Sequence, residues 1–296
     1  MNSGERREGM PPEFIIIGAM KCATSTLYEQ LENQCSIFMV APKEPNFFSD
    51  DDVYDRGISW YRSLYERTTD KSLLRGEAST HYTKLPTYTC TVARLSAHLS
   101  PDIKLIYVVR HPIERIVSHY IHEWTRNNIK EEINAAIKMY PELIDYGRYY
   151  YQLKPYSEVF NKIAVLNYHY LIARPQKALN AIGEYLGCDE PLKWVDRHSQ
   201  VNSSASRLRD SWIRDSIVYS LPVSWIRHNI VAPSFRDRVK RYWQIRNTPK
   251  INPENYRELT NIFNNDLKEF GDLIDCQGLD CSGFSSAFDF SRVVKI

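Results

Sequence analysis

The chain reads as an α/β protein built on a central, mostly parallel sheet flanked by helices. Short apolar runs at Phe14–Ile17, Ser72–Gly76, Ile103–Val109 and Lys162–Asn167 lack the alternation of a half-exposed strand, as strands buried on both faces do. Between them lie helical stretches over roughly 24–33, 87–99, 112–127, 130–140, 146–160 and 175–186. Strands that alternate with helices call for crossover connections, and crossovers pair strands in parallel.

In chain order, residues 1–12 are polar and end in Pro11-Pro12, which reads as a flexible tail before a single domain over 13–296. Pro112 directly after Val108-Val109-Arg110 suits the first turn of a helix, where a missing N–H costs nothing. Gly187 after Glu184-Tyr185-Leu186 suits a helix stop. Asp196–Asp210 is polar and reads as a loop, Trp212–Trp243 is aromatic and basic, and 253–274 looks helical within a helical C-terminal part over 210–296.

Composition narrows the function. Apolar residues make up 43% and charged residues 25%, which argues against wholesale disorder. Lys plus Arg (38) nearly balance Asp plus Glu (36), so nothing suggests nucleic-acid binding, and any basic site must be local. No apolar run approaches the ~18 residues of a membrane span, and MNSGERREGM lacks the greasy centre of a signal peptide. The six cysteines have no metal-site spacing. Cys276 and Cys281 are close enough to pair, but without an export signal free thiols and a cytoplasmic protein are expected.

The most informative segment follows the first strand: Gly18-Ala19-Met20-Lys21-Cys22-Ala23-Thr24-Ser25-Thr26, then helical LYEQL. A buried strand feeding a tight loop that opens a helix aims backbone N–H groups and the helix dipole at one point, where an anion fits. Lys21 adds a mobile charge and Thr24, Ser25 and Thr26 add hydroxyls, with Thr24 also expected to cap the helix. This is phosphate-loop logic without a Walker A, which needs Gly where Met20 stands. A second candidate is Arg110-His111-Pro112-Ile113-Glu114-Arg115-Ile116-Val117-Ser118. Arg110 would emerge at the carboxyl edge of a parallel strand, where open α/β sheets bind ligands. Arg115 and Ser118, three apart on the following helix, would share a face. A strand-end Arg paired with a nearby carboxylate is the plainer reading.

Together the segments resemble those of sulfotransferases that use 3′-phosphoadenosine 5′-phosphosulfate (PAPS). FIIIGAMKCATSTL is similar to their 5′-phosphosulfate loop and KLIYVVRHPIERIVSHY to their 3′-phosphate segment, in the version of heparan-sulfate-type enzymes and their bacterial relatives. APKEPNFFSD, GISWYRSLY, RGEASTHY, YGRYYYQL and YLIARPQKALNAIGEYLG extend the resemblance over roughly 12–204. It implies a P-loop-like three-layer fold and metal-independent sulfuryl transfer from PAPS to an acceptor hydroxyl, leaving 3′-phosphoadenosine 5′-phosphate (PAP). The 5′ end of the donor would sit on Lys21, Cys22, Ala23, Thr24, Ser25 and Thr26. Its 3′-phosphate would sit on Arg110 and Ser118. A polar loop over Asn202–Arg209, with Arg207 as its cation, would close on the nucleotide.

Transfer needs a cation at the departing oxygen, which Lys21 would supply, and a base for the acceptor. Glu44, in Pro42-Lys43-Glu44-Pro45, matches the family's catalytic carboxylate, and Pro45 biases it toward extended backbone. His81 is the alternative base, since imidazole titrates near neutrality. Two departures stand out: Ala78 occupies the place of a lysine in animal glycan-sulfating relatives, and Ala23 that of a frequent glycine, a methyl that fits only at negative φ. The acceptor would be a carbohydrate, lipid or small metabolite. Trp60-Tyr61 and Tyr149-Tyr150-Tyr151 could stack sugars, though large aromatics mostly pack cores. Basic residues over Phe235–Lys250 could meet an anionic acceptor or simply form a solvated face. A P-loop kinase, or a non-catalytic nucleotide-binding protein, is the alternative. The kinase would need Gly-Lys-Ser/Thr and a metal-holding carboxylate, where this chain has Met20-Lys21-Cys22 and Arg110.

Overall fold

The computed structural model describes residues 12–196 and 249–294. Its centre is one six-stranded sheet in the order β2-β3-β1-β4-β5-β6. The strands are β1 (Phe14–Gly18), β2 (Ile37–Met39), β3 (Leu74–Ala78), β4 (Lys104–Val109), β5 (Lys162–Asn167) and β6 (Phe290–Val294). The first five run parallel and β6 closes the edge antiparallel to β5. Every residue of β1 is buried, as its unbroken apolar run demands. It lies so close to β3 that a Cβ on Gly76 would stand 2.2 Å from the Phe14 ring.

The helices between the strands are α1 (Thr24–Glu32), α2 (Asp51–Tyr54), α3 (Gly57–Ser63), α4 (Thr91–His98), α5 (Pro112–Thr125), α6 (Ile133–Met139), α7 (Glu142–Asp145), α8 (Tyr149–Ser157), α9 (Tyr168–Ala173) and α10 (Pro175–Leu186), and α11 (Pro253–Leu273) follows later. Pro112 occupies the first turn of α5, and Gly187 ends α10 at φ 72°. α11 packs on α8 and α5 and buries Phe263, Leu267 and Phe270.

Several boundaries differ from the sequence reading, each for a local reason. The helix expected over 130–140 starts at Ile133 because the Glu132 carboxylate caps it, accepting from Ala135 N at 2.8 Å. The stretch expected as one helix over 146–160 holds only α8, with α7 before it, because Gly147 and Arg148 intervene. Three-residue β2 is too short to carry a pattern, and β6 gains its strand character only by pairing with β5.

Candidate active site

β1 and β4 are adjacent and parallel, so the loop after β1 and the segment after β4 open at the same edge of the sheet. Ala19 N donates to Val108 O at 2.8 Å and ties the first loop to β4. Gly18 lies at φ 155°, and a Cβ there would stand 2.0 Å from Thr83 Oγ1. Only glycine therefore lets Thr83 donate its hydroxyl to Ile17 O at 2.8 Å. Lys21 and Ala23 both have left-handed backbone, at φ 69° and 64°. Ala23 is thus a strained residue, contrary to the negative φ its methyl calls for. It is also the N-cap of α1, so Thr24 sits inside the first turn, and among the described residues the helix start has no side-chain capping bond. Lys21 and Thr26 are partly exposed and Ser25 is exposed, while Thr24 and Cys22 are buried. Burial pushes the Cys22 thiol up to about 11, and its amide donates within the loop to Ala19 O at 3.3 Å.

Arg110 stands at the end of β4. Its Nε donates to Glu114 Oε2 at 3.0 Å and its guanidinium lies 4.5 Å from the Tyr168 ring centroid. The carboxylate pairing foreseen as the plainer reading is therefore present. Ser118 is partly exposed on α5. Arg115 is fully buried, so it shares no surface with Ser118, unlike the three-residue spacing implied. Tyr149, from α8, joins the two segments: its hydroxyl donates to Arg110 O at 2.5 Å, accepts from Arg110 N at 3.1 Å, and lies 3.9 Å from Cys22 Sγ.

A third cluster faces this edge. Glu44 has φ 65° rather than the extended backbone expected before Pro45, and its amide donates to Ala78 O at 2.9 Å. Its carboxylate accepts from Thr80 N at 2.7 Å and Thr80 Oγ1 at 3.2 Å, and pairs with Lys43. Next along the Thr80–Thr83 3₁₀ turn, His81 Nδ1 lies 2.9 Å from Asp50 Oδ1 and the ring stacks on Tyr88. Burial, and then Lys84, lower the His81 pKa, so the ring is neutral near pH 7. Asp50 then fixes the proton on Nδ1 and leaves Nε2 as the basic nitrogen. Lys84 itself is pushed down to about 8 by burial, against the pull of Glu44, Glu123 and Asp50. It lines a 280 Å³ cavity with Met20, His119, Glu123, Tyr140 and Tyr146.

A family model for the sulfotransferase domain matches residues 11–271. The chain belongs to that family. This sulfotransferase domain is 30% identical over 207 residues to human heparan sulfate glucosamine 3-O-sulfotransferase 3B1, covering 65% of this chain and 50% of the relative. It is 35% identical over 121 residues to the membrane-associated sulfotransferase kil1 of Dictyostelium discoideum, covering 40% of this chain and 24% of the relative. The chain thus spans about half the length, or less, of these curated relatives. Among solved structures, a sulfotransferase from Alicyclobacillus acidocaldarius superposes with a TM-score of 0.62 at 20% identity, covering 91% of this chain and 97% of that one, a likeness of fold. The family match does not favour a P-loop kinase.

Sequence reasoning missed Asp50 and Lys84, and it weighed Tyr149 only as a sugar-stacking or core aromatic; Tyr149 and Tyr61 are fully buried and offer no stacking face. A Tyr-Tyr-Tyr run does not reveal which hydroxyl turns inward, and only the 3₁₀ turn brings Lys84 into the electrostatic range of Glu44. The Arg207 loop and most of the basic stretch over 235–250 lie outside the described residues.

Proposed function

We propose that this sulfotransferase domain transfers the sulfuryl group of PAPS to an acceptor hydroxyl by in-line displacement, without a metal. The observation that carries the reading is the Tyr149 hydroxyl, which ties the Lys21 loop to Arg110 on neighbouring parallel strands. The two basic segments thereby open side by side at one edge of the sheet, which suits a ligand phosphorylated at both ends. The uncapped N-terminus of α1, with Lys21, Ser25 and Thr26, receives the 5′-phosphosulfate. Arg110 and Ser118 receive the 3′-phosphate, which displaces Glu114 from Arg110.

In the transfer, Lys21 stabilises charge on the departing bisphosphate. Glu44, oriented by Thr80, takes the proton of the acceptor hydroxyl as its oxygen attacks sulfur. The His81–Asp50 pair is the second candidate base on the same turn. The likeness to heparan sulfate enzymes supports a glycan hydroxyl as acceptor. All six cysteines are free thiols, which fits a cytoplasmic setting. Among the described residues no helix is long and apolar enough to cross a membrane.

Transfer of labelled sulfate from PAPS to a panel of glycans, lipids and small metabolites tests the reading. Label should appear on a hydroxyl acceptor with wild type and vanish with Lys21→Ala, whose fold stays intact. Transfer by Lys21→Ala at the wild-type rate would remove Lys21 from the chemistry.

A further inference from the structure

Arg115, on the inner face of α5, is 0% exposed. Its Nη2 donates to the Leu143 carbonyl, its Nη1 lies 3.4 Å from His119 Nδ1, and its Nε has no partner among the described residues. Burial pushes His119 down to about 4 despite Glu123, so at neutral pH the imidazole is uncharged and Nδ1 accepts. Among the described residues no carboxylate lies within ion-pair distance of Arg115. Glu123 is reached only across the imidazole, whose Nε2 is 3.6 Å from Glu123 Oε1. A guanidinium keeps its proton even when buried. The fold therefore holds a full positive charge against a carbonyl and a neutral ring, an arrangement that ordinarily destabilises a protein.

The position of this charge is specific. Gly147 makes the space, since a Cβ there would stand 2.8 Å from Arg115 Nε. The guanidinium acts electrostatically on Cys22 and on Tyr149, the pair that joins the first loop to Arg110. It sits on α5, the helix that follows Arg110, and is fully buried within electrostatic reach of the residues that join the two basic segments, so its field is weakly screened.

We propose that Arg115 is a positioning residue for the donor: a buried charge without a carboxylate partner among the described residues, close enough to the Cys22–Tyr149 junction of the two anion-binding segments for the phosphates of the nucleotide to become its counter-charge. This rests on the donor reading above. Arg115 touches neither donor nor acceptor. It strengthens the attraction of the site for a multiply charged ligand, at a cost to the unliganded fold.

The test compares Arg115→Met, which fills the space without charge, Arg115→Gln, which keeps a donor for Leu143 O, and Arg115→Lys, which keeps the charge. Unliganded melting temperature and PAP affinity are read for each. We expect Met and Gln to melt at or above wild type yet bind PAP about tenfold or more weakly, with Lys within about threefold of wild type. A structural role alone would lower the melting temperature and leave PAP affinity in place. PAP binding by Arg115→Gln equal to wild type overturns the proposal, and so does Arg115→Lys as weak as Arg115→Gln. Should Arg115→Met not fold, the Gln and Lys variants decide. If wild type itself ignores PAP, the donor reading fails. Titration with inorganic pyrophosphate then decides for Arg115, since equal stabilisation of wild type and Arg115→Gln overturns its role.

Discussion

Glu44 and His81 are neighbours in space held by different partners, and the difference is measurable. Glu44 is fixed by two donors from Thr80, whereas His81 is fixed by Asp50 and Tyr88. With Glu44 as base, Glu44→Gln should lower turnover by about 100-fold or more while PAP affinity stays at wild type. A small loss there, with a large one in His81→Asn and Asp50→Asn, would move the role to His81. Glu77 makes a second point at this scale. It is fully buried on β3, and burial raises its pKa from 4.5 to about 8 against the pull of the nearby Tyr82, Tyr61 and Ser79 hydroxyls. Through that window the folded chain keeps a proton the unfolded chain has lost, so this group makes stability fall as pH rises. Glu77→Gln should therefore gain on wild type steadily from acid pH up to about pH 8 and then level off. One unit of such a shift is worth about 1.4 kcal/mol, so urea melts across that range would reveal it. A gain that does not change with pH would show that Glu77 is ionised in the fold.

At the scale of elements, the junction of β1 and α1 carries strain that its sequence does not announce. Ala23 sits in left-handed backbone at the start of α1. Such a conformation costs an L-residue roughly 1–2 kcal/mol, and glycine gives back about 0.4–1 kcal/mol through the unfolded chain. Ala23→Gly should therefore stabilise the protein by about 0.5–1 kcal/mol; destabilisation would contradict the left-handed assignment. Gly18→Ala should do the opposite, because its methyl meets Thr83 Oγ1 and breaks the bond that joins the Thr80–Thr83 turn to the end of β1. Chemical denaturation of the two variants, read side by side, checks both signs.

Across the whole molecule, the C-terminal segment belongs to the core rather than to an appendage. α11 buries Phe263, Leu267 and Phe270, Asp266 accepts the amides of Tyr150 and Tyr151 at the start of α8, and β6 covers the edge of β5. A chain ending at residue 248 would expose that edge and unseat α8, which carries Tyr149. It should be insoluble or lack a cooperative melting transition, and a cooperatively melting product that still binds PAP would refute this. β6 lies beyond the stretch that matches the family model, so the closing strand was not legible from motifs.

What the amino-acid order determined by itself was the succession of buried strands and helices and the two basic segments after β1 and β4. Both are local: apolar runs need burial on two faces, and a lysine or arginine just after such a run emerges where the strand ends. What the tertiary structure alone decided was the partners. Arg115 looks like a surface residue three before Ser118 but turns into the core, Tyr149 reaches two segments from a third, and Lys84 lies near Glu44 because a 3₁₀ turn folds it there. Burial and electrostatic coupling depend on residues far apart in the chain, and no local pattern records which of them the packed sheet brings together.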